Sequence, residues 1–138
     1  MLNIKNLSVS YGRKVALTVP KLSINKGEII GVMGKSGSGK STLVNSCLGL
    51  IPFKGQVRID TDDVGILMQE QHYVDTMTNQ KMIEGMLNTR IKRDKKLTEL
   101  INFFDFSDQL SLHFKNLSGG QKQRMSLIMV LYQEPELL

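Results

Sequence analysis

The string "GKSGSGKS" at Gly34–Ser41 constrains this chain more than any other feature. It fits G-x-x-x-x-G-K-[ST], a loop that curls backbone N–H groups around phosphate oxygens. Glycine at Gly34, Gly37 and Gly39 lets the backbone turn where a side chain would block the anion. Lys40 would set an ammonium against the β- and γ-phosphates of a nucleotide, and the Ser41 hydroxyl would ligate Mg²⁺. A helix following the loop would add its unsatisfied N–H groups and the positive end of its dipole. Lys35, Ser36, Ser38 and Thr42 complete the candidate phosphate contacts. The bland alternative is a glycine- and serine-rich connector. At average residue frequencies the four fixed positions arise by chance in about one chain of this length in two hundred. The flanks decide for the phosphate loop. "EIIGVMG" (28–34) reads as a short, fully buried parallel strand leading in. Residues 41–50 lead out as a helix with Leu43, Val44, Cys47 and Leu48 on one face, ended by Pro52.

The rest of the chain fits an α/β layout with a parallel-sheet core. "LNIKNLSVSY" alternates at Leu2 and Ile4 and again at Leu7, Val9 and Tyr11, with a slip between, and predicts an edge strand with one face buried. "KLSIN", "GQVRID" and "VGILMQ" predict further strands. From Gln80 to about Phe114 the period becomes helical, with Leu97, Leu100, Ile101 and Phe104 at i, i+3, i+4 and i+7. A last helix over 119–133 repeats the spacing with Met125, Ile128, Met129 and Tyr132. At 138 residues the chain is at most one domain.

Composition excludes little. Apolar residues make up 41% and charged residues 22%, as in a soluble globular protein. The apolar stretch "LIMVLY" is too short to span a bilayer, and the N-terminus has no apolar signal core. A lone cysteine, Cys47, suits a reducing compartment. The net charge of +5 is compatible with an acidic partner. Its one local cluster, "RIKRDKK" at Arg90–Lys96, reads as a solvated helix face.

A second motif, "LSGGQKQR" at Leu117–Arg124, precedes the last helix. Ser118 and Gln121 fit a helix capping box, S-x-x-Q. A capping box does not need Gly119 and Gly120, which weaken a helix. "LSGGQ" arises by chance in about one such chain in ten thousand.

With this string the chain resembles the ATP-binding subunits of ABC transporters, whose signature it matches, and the resemblance runs along the whole chain in order. It implies a P-loop NTPase of ABC type: N-terminal antiparallel strands, a parallel core and a helical subdomain. The boundaries it implies are a nucleotide-binding core over about 1–79, a helical subdomain over about 80–116, and the signature with its helix over 117–138. It implies ATP and Mg²⁺ as ligands. Tyr11 would stack on adenine, Gly34–Thr42 would hold the phosphates, and Gln69 would reach Mg²⁺ or the attacking water. Ser118, Gly119, Gly120 and Gln121 would face the γ-phosphate held by a second ATPase subunit, packed head to tail. The partners implied are that subunit and transmembrane permease subunits, not nucleic acid. The location implied is the cytoplasmic face of the membrane.

The resemblance also sets expectations about the chain's end. "ELL" after Pro135 reads as a buried strand just starting, and the family places an Asp and a Glu on that strand and a switch histidine beyond it. His72 and His113 precede the signature and do not match the switch position. The expectation is weak ATP binding and negligible hydrolysis by this chain alone. "LGLIP" leans toward peptide or nickel-type importers. Two other readings stand beside the transporter ATPase: a soluble ABC-type ATPase acting on nucleic acid or ribosomes, and a catalytically inactive nucleotide-binding fragment.

Overall fold

The computed structural model describes residues 1–68 and 73–138. They form two compact units, Met1–Asp62 and Asp63–Leu138.

In the first unit, strands β1 (Leu2–Tyr11) and β2 (Lys14–Ile24) form a hairpin, and β3 (Lys54–Ile59) pairs with the other side of β1. The order is β2-β1-β3, and every pairing is antiparallel. The sequence predicts β1 as an edge strand; it is central, because β3 returns to pair with its second ladder. The slip in its alternation has a structural cause. Asn6 adopts φ 50° and the register to β3 shifts between Lys5 and Ser8. That bulge returns Leu7 and Val9 to the buried face already occupied by Leu2 and Ile4. Gly55 lies opposite at φ 100°, and a Cβ there would run into the Asn6 carbonyl. Only glycine fits this crossing. Helix α1 (Lys40–Cys47) lays Leu43 and Cys47 against the inner face of the sheet, where Ile51 and Phe53 extend the cluster. Burial pushes the Cys47 thiol pKa up.

The strand predicted at 28–34 is not formed. A parallel strand is held by ladders on both sides, and among the described residues none pairs with this segment. Its apolar side chains therefore stand in solvent, Ile29 at 98% and Met33 at 94% exposure.

The second unit packs helices α2 (Asn79–Met86), α3 (Lys95–Phe103) and α4 (Gly119–Tyr132), with 3-10 turns at Ile91–Arg93, Ser107–Gln109 and Phe114–Asn116. The helical period over 80–114 is thus carried by two helices and three turns. Asn88 and Asp105, both at φ 49°, end the first two helices. Thr78 caps α2 by accepting from the Lys81 N–H, and Asp94 caps α3 by accepting from the Leu97 N–H. Ile83, Leu97, Ile101, Phe106, Met125 and Ile128 form the buried centre. Burying each such side chain contributes roughly 1.5–3 kcal/mol.

The start of α2 is fastened to a distant loop. The Asn79 and Gln80 N–H groups donate to the Leu112 and Leu110 carbonyls at 2.8 and 2.9 Å. The Asn79 side-chain amide donates to the Gln109 carbonyl at 2.9 Å. His113 Nδ1 lies 2.9 Å from the Asp75 carbonyl oxygen, and Tyr73 meets Phe114 edge to face. The strand predicted at "VGILMQ" is not formed over the described residues 64–68, which make one isolated parallel bridge, Val64 to Leu137 of "ELL". There the Gly65 N–H donates to the Leu137 carbonyl at 2.8 Å, and the Leu137 N–H to the Asp63 carbonyl at 3.2 Å. Gly65 lies so close to Pro135 and Val130 that a Cβ would stand 2.5 Å from the proline ring.

Candidate functional site: two glycine-rich helix starts

The phosphate loop is built from the residues that precede α1. Gly37 and Gly39 take φ 77° and 94°, conformations open to glycine. The Ser38 N–H donates to the Lys35 carbonyl at 3.1 Å and closes the turn. Gly39 is the N-cap of α1 and has no side chain to offer, so no side chain caps the first turn. The first helical bond runs from the Leu43 N–H to the Gly39 carbonyl at 2.8 Å. The N–H groups of Lys40, Ser41 and Thr42 precede it and have no intrahelical acceptor. Lys40 folds back over the loop, its Nζ donating to the Gly34 carbonyl at 2.7 Å and the Lys35 carbonyl at 3.0 Å. A Cβ on Gly34 would stand 2.6 Å from Ser38 Oγ, and one on Gly39 would stand 3.3 Å from the Ala16 carbonyl. The result is an ammonium and three N–H donors without an intrahelical acceptor, gathered at the start of α1. These groups fit a nucleotide's phosphates.

The donor set also suits Mg²⁺. Ser41 is exposed on the first turn of α1 and offers an oxygen, as a hard cation requires. Among the described residues no cluster of three His, Cys, Asp or Glu side chains competes for a metal. Tyr11 ends β1 at the hairpin turn, 57% exposed. Gln69 and His72 lie outside the described residues.

The signature starts α4 differently. Ser118 is the N-cap, with φ −65° and ψ 163°. Its Oγ accepts from the Gln121 N–H at 3.3 Å, and Gln121 Oε1 accepts from the Ser118 N–H at 2.8 Å. The capping box predicted from sequence is present with both bonds. Gly119 and Gly120 form the first turn, and a Cβ on either would meet nothing within 4 Å. The two glycines open the approach to this helix end from outside.

The far end of α4 is tied down by a network that sequence reasoning missed. Tyr132 donates its hydroxyl to Asp94 Oδ2 at 2.5 Å, and Thr89 Oγ1 donates to the same oxygen at 3.0 Å. Lys96 donates to the Tyr132 carbonyl at 2.6 Å and pairs with Glu134 at 3.0 Å. The Tyr132 hydroxyl, then the Leu97 N–H, hold the Asp94 carboxyl below its ordinary pKa, and the same carboxylate pushes Tyr132 up. Asp94 is readable from sequence as a helix cap; its tyrosine partner, 38 residues on, leaves no local signal. The basic cluster at 90–96 divides in the same way. Arg90 pairs with the buried Glu84 at 3.0 Å, and Lys95 faces Glu99. Burial pushes Glu84 up, but the Ile91 N–H, Arg90 and Gln80 together outweigh it and hold this carboxyl low.

A family model described as ABC transporter matches residues 17–138. The chain belongs to the ABC transporter family. The energy-coupling factor transporter ATP-binding protein EcfA of Aster yellows witches'-broom phytoplasma is 31% identical over all of this ABC chain and 58% of its own length. The methionine import ATP-binding protein MetN 1 of Oceanobacillus iheyensis is 30% identical over all of the chain and 48% of its own length. A solved dimeric bacterial ABC transporter cassette superposes with a TM-score of 0.76 at 28% identity, covering 98% of the chain and 71% of the cassette. The ABC chain thus spans about half the length of the curated relatives it matches. Its fold is that of the ABC ATPase cassettes, with the N-terminal antiparallel strands and the helices in place. Among the described residues no helix is long and apolar enough to cross a membrane.

Proposed function

We propose that this chain is the ATP-gripping and signature-bearing portion of an ABC transporter's ATP-binding subunit. The observation that carries the reading is the fold-back of Lys40 over a loop whose helix start has no side-chain cap. Gly34–Thr42 would hold the phosphates, with Lys40 supplying charge and the N–H groups of the first turn of α1 supplying direction. Tyr11 would stack on adenine. Ser41 and Gln69 would hold Mg²⁺, which when bound neutralises phosphate charge. Ser118, Gly119, Gly120 and Gln121 would serve a nucleotide held by a second ATPase subunit placed head to tail, with permease subunits on the cytoplasmic side of a membrane as the further partners. We assign one partial ATPase domain: a nucleotide-binding core over about 1–79, a helical subdomain over about 80–116, and the signature with its helix over 117–138.

The names of two relatives, a methionine import and a phosphonates import ATP-binding protein, support import over export. The peptide or nickel lean rests on "LGLIP" alone, and the substrate belongs to the permease. The test is a titration of the purified chain with Mg·ATP. Weak, Mg²⁺-dependent binding that Lys40→Ala lowers by about a hundredfold supports the reading. Binding that is indifferent to Lys40 overturns it.

A further inference from the structure

The net positive charge resides in the first unit. Met1–Asp62 carries nine Lys and Arg against three Asp and Glu, whereas residues 63–138 carry nine against ten. Lys35 and Lys40 belong to the phosphate loop. Four others share the outer face of the sheet, opposite the buried Leu2, Ile4, Leu7 and Val9. The register sets this face in three rows across β2, β1 and β3: Ser23–Asn3–Arg58, Lys21–Lys5–Gln56 and Thr18–Ser8–Lys54.

Lys5 and Lys21 are therefore directly opposed like charges, an arrangement that destabilises a sheet. Neither they nor Lys54 has a hydrogen-bond or ion-pair partner among the described residues. Asn3, Lys5, Gln56, Arg58 and Asp60 line a cavity of about 530 Å³, within the size range of small-ligand sites. The one acid on its rim is already engaged. Asp60 accepts from Arg58 Nε at 2.7 Å and from the N-terminal ammonium at 3.2 Å. The two terminal amino groups of Arg58 remain for a ligand.

We propose that this cavity binds a small, multiply charged anion of the phosphate-ester or pyrophosphate class, held between Lys5 and Arg58 with Lys21 at the rim. The Asn3 and Gln56 amides supply neutral donors. The three rows contain no aromatic ring on which a nucleic-acid base would stack, and no apolar residue to seat a peptide side chain. The cavity lining shares no residue with the phosphate loop, whose helix α1 packs on the opposite, inner face of the sheet.

The test uses the 138-residue chain carrying Lys40→Ala, so that the phosphate loop is silenced, in EDTA. Inorganic pyrophosphate is titrated while backbone amide resonances are followed. Binding shifts the amides of Asn3, Lys5, Lys21, Gln56 and Arg58. The added pair Lys5→Gln and Lys21→Gln weakens it by about tenfold, and raising salt from about 50 to about 200 mM weakens it further. Without anion, that pair raises the melting temperature, since it removes the opposed charges. No shift at these amides, or unchanged affinity in the double variant, overturns the proposal. So does capture by phosphatidylserine vesicles with no response to pyrophosphate, which marks a membrane contact instead. A melting temperature that falls in the double variant contradicts the stored repulsion on which the site was inferred.

Discussion

The two glycine-rich helix starts use the same residue to opposite ends. At α1, glycine is the cap itself, in a left-handed conformation, and the first turn is left with open donors and a lysine folded across them. At α4, glycine follows a serine cap whose box with Gln121 satisfies the Ser118 and Gln121 N–H groups, while those of Gly119 and Gly120 have no intrahelical acceptor. The first start is unfinished without an anion. The second keeps two open donors, on Gly119 and Gly120, beside a cap that already holds the turn in shape. A helix end that caps itself keeps its shape whether or not a ligand comes. One that leaves its donors open takes a phosphate into its own structure.

The widest separation between the two should appear in ligand affinity. Lys40→Ala is expected to cost about a hundredfold in Mg·ATP binding by this chain, and Ser118→Ala to leave it within about twofold, both read by titration. A large loss from Ser118→Ala would erase the distinction. Next comes backbone stability. Gly39→Ala forces a side chain to φ 94° beside the Ala16 carbonyl and should destabilise by about 1–3 kcal/mol. Gly119→Ala enters open space in a helical turn and should stabilise by about 0.5–1 kcal/mol. Chemical denaturation measures both, and equal signs would break the comparison. Ser118→Ala removes half of the capping box and should cost about 1 kcal/mol by the same measurement.

The smallest effect lies at the other end of α4 and is read through pH. Asp94 has a lowered pKa, so its contribution is present above its unfolded value of about 3.9 and is lost as pH falls through the folded one. Tyr132 has a raised pKa, so its contribution is present below about 10 and is lost as pH rises through the folded value. Asp94→Asn and Tyr132→Phe should each lower the melting temperature at pH 7. The deficit of Asp94→Asn should shrink below about pH 4 and that of Tyr132→Phe above about pH 10. Deficits that stay constant across those ranges would show that the pair does not titrate with folding.

Much of this was legible in the sequence because the signals are local. The loop glycines, the Ser118–Gln121 box and the spacing of Leu97, Ile101, Met125 and Ile128 each announce a conformation within one or two turns. Even the slip at Asn6 was visible as a break in alternation, although not the Gly55 crossing that goes with it. What escaped depends on partners far along the chain. A run such as "EIIGVMG" states that it is apolar, not which strands flank it, and here no described residue pairs with it. Central against edge placement of β1 was decided by β3, more than forty residues on. The Asp94–Tyr132 bond is of the same kind. The helical character of 80–114 was legible, but not where it breaks, since periodicity does not report the left-handed residues at Asn88 and Asp105.

The fastening of Tyr73–Gln80 to the 109–114 loop has a mechanical consequence. That loop runs directly into Ser118, and its carbonyls hold the Asn79 and Gln80 N–H groups while His113 meets Asp75. Pulling residues 73–80 away from that loop would therefore break the three bonds that Asn79 and Gln80 make to its carbonyls, together with the edge-to-face contact of Tyr73 and Phe114.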